Sequence, residues 1–236
     1  MKKTFSKKKS AFSLIELSIV LIVIGLLIAG ITGGASLIKS SELRSVMGEA
    51  RGYAVAVNAF YSQFNALPGD YGTALAPATV AGDADSRIEY YSDATTPVAE
   101  GIQAWLALKG IGAIDSTITA VGVGVAQVVN TNMPASKIKS SGWAFDYNTT
   151  SSQNVVVLTQ GIGTGTASNT LVNGTPISVA AITPADALSI DAKIDDGAAD
   201  AGKIRGVLST CSSGASYTTS SSAKACALTY QVDVNS

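Results

Sequence analysis

The sequence predicts an α+β protein: a long N-terminal helix, apolar all round in its first half and amphipathic in its second, packed by that second half on an antiparallel β-sheet head. Three observations carry this. Residues 17–38 contain no charge in 22 positions, and a bilayer core of about 30 Å takes roughly 20 apolar residues in a helix. Between Leu43 and Phe64, apolar residues recur at three- and four-residue steps, the period of a helix with one buried face. Beyond Gly110 the apolar stretches are short, rich in β-branched and aromatic residues and separated by Gly, Ser and Thr, as strands and turns are.

Residues 1–11 come first. They carry Lys2, Lys3, Lys7, Lys8 and Lys9 and no acid, so positive-inside bias holds them in the cytoplasm and sends the C-terminal bulk out. Glu16 stands at the mouth of the apolar run. An ionisable group there costs on the order of a few kcal/mol unless it snorkels or finds a partner. An ordinary secretory signal is the competing reading, with residues 17–29 as its apolar region and a cut after Ala35. It leaves Glu16 without a purpose and ignores helical patterning that continues past that cut.

The continuing stripe is Leu43, Val46, Met47, Ala50, Tyr53, Ala54, Val57, Phe60, Tyr61 and Phe64. One helix over residues 12–64 is expected, roughly 80 Å long at 1.5 Å per residue, with residues 12–38 as its transmembrane part. Gly25, Gly30, Gly33 and Gly34 interrupt the apolar half, each costing up to about 1 kcal/mol relative to Ala. They mark either a place where the helix loosens or close helix–helix packing through small residues. The helix should end at Asn65, because Pro68 disfavours helix at Leu67 and Pro-Gly-Asp is turn chemistry.

Residues 65–236 read as a single head. Residues 72–95 read as loop, and Thr96-Pro97 opens a second helix through Ile102, Trp105 and Leu106 to about Lys109. Strands are expected at residues 117–129, 143–147, 154–159, 177–182, 203–209 and 227–234. Thr183-Pro-Ala-Asp186 has the residue types of a capping box and begins a helix reaching about Asp195, with Ala187, Leu188, Ile190 and Ile194 as its apolar face.

Composition excludes several chemistries. The chain has no His, which rules out His-based triads, His metal sites and imidazole relays. Gly161-Ile-Gly-Thr-Gly-Thr lacks the Lys of a phosphate loop. After Arg51 there are 8 basic and 14 acidic residues, a balance of −6, so no nucleic-acid partner is expected. Asp191, Asp195, Asp196 and Asp200 invite a calcium reading. Their spacing does not fit an EF-hand loop, and solvated acids at an Asp-Gly helix end are the commoner arrangement, so no metal is assigned.

The Lys-rich leader, Ala11, Phe12, Ser-Leu-Ile-Glu16-Leu and the unbroken apolar helix together resemble a type IV prepilin, a superfamily that includes the pseudopilins of type II secretion. The resemblance implies a pilin-like fold and no enzymatic activity or cofactor. It implies that a prepilin peptidase cuts between Ala11 and Phe12 and methylates the new amine; Ala11 stands where Gly is usual. It also implies that Glu16 pairs with the Phe12 amine of a neighbouring subunit, and that the glycine segment is where the helix melts on assembly. Implied partners are further copies in a homopolymeric filament, the peptidase, inner-membrane assembly machinery, and the membrane itself before assembly. The implied locations are the bacterial inner membrane for the precursor, then an extracellular pilus or a periplasmic pseudopilus. Cys211 and Cys226 lie beyond the membrane segment, where an oxidising compartment permits pairing, and a C-terminal disulfide-closed loop also resembles that of type IV pilins. A filament subunit is the leading reading, a secretion pseudopilin its runner-up, and a membrane-anchored monomeric binding protein the third.

Overall fold

The computed structural model describes residues 13–78, 80–89, 100–118, 128–161 and 179–232. Its elements are α1 (Leu14–Phe64), α2 (Glu100–Gly110), β1 (Ser141–Asn148), β2 (Gln153–Gln160), α3 (Pro184–Ile194), β3 (Ile204–Gly206), β4 (Ser212–Ser213), β5 (Ser216–Tyr217) and β6 (Leu228–Gln231). By compactness the chain divides into Met1–Ser41 and Glu42–Ser236, and each unit is described by itself.

The expected α+β arrangement is present. In the second unit, four antiparallel strands lie in the order β1-β2-β6-β3. Phe145 stands opposite Val156, Val156 opposite Tyr230, and Tyr230 opposite Ile204. The alternation along β1 and β2 sends Trp143, Phe145, Val156 and Leu158 into the main core, while Val155 and Val157 are buried on the opposite face with Ala227.

The amphipathic stretch of α1 supplies the other half of that core. Leu43, Val46, Ala50, Ala56, Val57 and Phe60 are buried among Ile102, Trp105, Leu106 and the sheet residues. Burying each large apolar side chain contributes about 1.5–3 kcal/mol. Tyr53 meets the edges of Trp105 at 4.7 Å and Trp143 at 5.8 Å, and Trp105 lies 4.1 Å from Phe145. Such pairs add about 0.5–1.5 kcal/mol beyond area. Helix α2 is clamped at both ends by backbone. A Cβ on Gly101 would lie 2.8 Å from the Phe145 carbonyl oxygen, and one on Gly110 would collide with the Ala76 carbonyl oxygen.

Several expected elements differ. Residues 177–182 do not form a strand over their described part, where Ile182 makes only an isolated bridge to Cys226. The chain must turn there, because Thr183 caps α3 by accepting the Asp186 amide. The expected strand at residues 203–209 shortens to β3, since Leu208 to Cys211 form a turn closed by Cys211 N to the Leu208 carbonyl oxygen. That at 227–234 is β6 over its described part, and residues 233–234 lie outside the described residues. Residues 119–127, Thr96 and Pro97 lie outside the described residues. Ile118 is buried and its carbonyl accepts Lys109 Nζ at 2.7 Å, while Val129 makes an isolated bridge with Met133.

Candidate assembly site

In the first unit, every Leu, Ile and Val from Leu14 to Ile38 is exposed, with Leu14 at 88 % and Leu37 at 74 %. By length and composition α1 is apolar enough to cross a membrane. Soluble monomers rarely expose apolar patches beyond a few hundred Å², so this surface calls for lipid or for other protein. Gly25, Gly30, Gly33 and Gly34 have nothing within 4 Å of where a Cβ would sit, and α1 runs through them without a break.

At the entrance to this helix the structure gives Glu16 a partner. The Ser13 amide donates to Glu16 Oε2 at 2.8 Å, and the Ile15 amide donates to Ser13 Oγ at 3.3 Å. Ser13 is therefore the N-cap and Glu16 the third helical residue, a reciprocal capping box that satisfies two amides left over at the helix start. Glu16 also suits the positive end of the helix dipole. The signal was present in the sequence as Ser-x-x-Glu. Ala11 and Phe12 lie outside the described residues, and Ser13, the cap, precedes the helix.

Within the second unit, Glu49 on α1 is held by three donors: Trp143 Nε1 at 2.8 Å, Ser136 Oγ at 2.8 Å and the Lys137 amide at 3.1 Å. The carboxylate thereby fastens α1 to β1 and to the turn before it. Burial, and secondarily the Glu49 charge, push the Tyr53 phenol well above its usual range.

The structure joins Cys211 and Cys226 as a disulfide, 15 residues apart. Inside the loop it closes, β4 and β5 form a two-residue-per-strand hairpin that sequence patterning did not signal, since its residues are mostly Ser. Oxygen atoms of Asp191, Asp195 and Asp196 come within 4.8 Å of one another, without Asp200. These carboxylates also accept hydrogen bonds within the fold. Asp191 is fully buried and accepts Tyr217 Oη at 2.7 Å and the Gly197 amide at 3.2 Å; Asp195 accepts the Lys203 and Ile204 amides; Asp196 accepts the Ala198 amide. Burial raises the Asp191 carboxyl and, together with Asp191 itself, raises the Tyr217 phenol. These contacts close the end of α3 on β3 and β5.

An exposed apolar helix with a capped carboxylate at its mouth, on a chain with a folded α+β head, defines a subunit built for assembly or membrane anchoring. Residues 6–32 match the family model for the prokaryotic N-terminal methylation motif. That motif is the prepilin-type signal found in type IV pilins and pseudopilins, and it supports a protein of that class. It implies processing by a prepilin peptidase and points to a structural subunit. Comparison with curated proteins and with solved structures gives no significant match.

Proposed function

We propose that the chain is the structural subunit of a type IV pilus-like filament, cut between Ala11 and Phe12, methylated on the new amine, and assembled head-to-tail through α1. The observation that supports this is the first unit itself: an apolar helix with no buried side chain among its large hydrophobic residues, whose beginning lies within a prepilin-type signal at residues 6–32. Before assembly, lipid covers that helix; in a filament, the helices of other copies cover it. Head-to-tail contacts are heterologous and propagate without closing. Glu16 Oε2 is engaged by its own helix, but a carboxylate offers about four lone-pair sites. One oxygen is left to accept a neighbour's Phe12 amine, which neutralises both charges as they leave water. The glycines at 25, 30, 33 and 34 let helices approach closely or unwind. A pseudopilin would use the same physics.

Two measurements test the reading. Mass spectrometry of the mature chain should find a methylated Phe12 at its N-terminus; a terminus at Ser36 overturns it in favour of a secretory signal. Electron microscopy of shear-released surface material, with peptide identification of its main band, should find filaments made of this chain. Short periplasmic assemblies without surface filaments assign it to a secretion machine.

A further inference from the structure

The second unit contains a group of carboxylates that assembly does not use. Asp70 follows the end of α1 and is 3 % exposed; Glu100 opens α2 and is fully buried; Glu89 is 8 % exposed. Oxygen atoms of Asp70, Asp83 and Glu100 lie within 4.8 Å of one another. Between the two anchoring carboxylates runs the segment 80–89, and its amides are what they bind. Asp70 accepts the Asp85 amide at 2.9 Å and the Ser86 amide at 3.0 Å. Glu100 accepts the Asp83 amide at 3.2 Å and the Glu89 amide at 3.1 Å. The segment is also stitched by backbone, Gly82 to Tyr71 and Ala84 to Asp70. On β2, Asn154 Oδ1 accepts the Ile88 amide at 2.7 Å, and Ile88 is fully buried.

The charge balance of this arrangement is poor. Facing Asp70, Glu89 and Glu100 are Asp83 and Asp85 of the segment itself and a single cation among the described residues, Arg87. Arg87 sits at the rim, 3.6 Å from Asp85, 3.9 Å from Glu89 and 4.7 Å above the Tyr147 ring of β1. Burial disfavours the ionised form, and like charges disfavour it further. Burial is the leading cause that pushes Asp70 up to about 6, Glu89 to about 7 and Glu100 to about 8, with the amide bonds and Arg87 acting the other way.

We infer that residues 80–89 form a proton-dependent strap, closed over α2 and the turn after α1 while Asp70, Glu89 and Glu100 retain protons, and loosened as that cluster ionises. The sign follows from linkage. Carboxyls raised in the folded state bind protons that the unfolded chain has released, so they stabilise the closed form fully below the ordinary carboxylate range. That stabilisation is lost as pH rises through about 6, 7 and 8. Loosening is local because four of the strap's amides are bonded by these carboxylates, whereas β1 and β2 pair backbone with backbone.

The test is hydrogen exchange on the full chain in detergent micelles with a chelator present, between about pH 5 and pH 8.5, reading the amides of Asp83, Asp85, Ser86 and Glu89 against those of β1 and β2. After correction for base catalysis, strap protection should fall tenfold or more across this range while the β1–β2 amides hold. Glu100→Gln cannot ionise, so its strap protection should fall less steeply with pH than the wild type's, the remaining slope belonging to Asp70 and Glu89. Should that variant not fold, Glu89→Gln at the rim should still reduce the wild-type slope. Equal protection at both ends of the range overturns the strap. So does a slope that vanishes on adding calcium in place of the chelator, which would make the cluster a cation site.

Discussion

The two stretches of α1 use the same helical backbone for opposite ends. From Leu14 to Ser41 its large apolar residues are all exposed, and its one acid, Glu16, is satisfied by the helix's own first amide. From Glu42 onward the apolar residues narrow to a stripe that is buried within the second unit, and one of the two acids on that stretch, Glu49, is bonded by groups 87 to 94 residues away. The difference teaches where each stretch finds its stabilisation. The second stretch is complete within one chain. The first is complete only in lipid or among other chains, since without burial an apolar surface gains nothing from folding.

The contrast is broken most severely at Glu16. Glu16→Ala removes both the capping acceptor and the partner proposed for a neighbour's Phe12 amine. Truncating one member of a buried ion pair typically costs about 3–5 kcal/mol, repeated at every subunit contact, so filament yield in the sheared fraction should collapse while insertion and cleavage persist. Normal filaments from this variant would show that the carboxylate only caps its helix. Phe60→Ala should do the reverse. Emptying a fully buried aromatic site costs about 3–5 kcal/mol, visible as a lower denaturant midpoint of the head with processing unaffected. If both variants gave the same phenotype, the division of labour along α1 would be wrong. Cys211→Ser sharpens the comparison at smaller scale. Opening a loop of 15 residues should cost about 3 kcal/mol, again confined to the head; alkylation of both thiols in native protein without reductant would refute the bridge.

Strong periodicity made the helix and its far end at Phe64 legible, and the Trp143 and Asn154 strands were legible because β-branched and aromatic residues dominate them. The shorter strands depart from their sequence patterning for a common reason. Residues 179–182 and 207–209 have strand-like composition, but Thr183 must cap α3 and Cys211 must reach Cys226, so tertiary demands ended the ladders early. The capping box at Ser13 is hidden when the helix is taken to run on from Phe12, which makes Ser13 an interior position, whereas α1 begins at Leu14. Asp70 and Glu100 gave no signal at all, since they lie 30 residues apart in sequence and an isolated acid in a turn or a first helical turn is ordinarily solvated.

The glycines that bound α2 invert a familiar rule of protein engineering. In a helix, Gly→Ala normally stabilises by up to about 1 kcal/mol. At Gly101 and Gly110 the added methyl would strike the carbonyls of Phe145 and Ala76, so a substitution chosen from propensity alone would push α2 off the sheet at one end and off the turn at the other. Because main chain meets main chain there, with no side chain able to yield between them, the helix sits in a slot of fixed width. Trp105, midway along it, is aimed at Tyr53 and Phe145 by that slot as much as by its own packing.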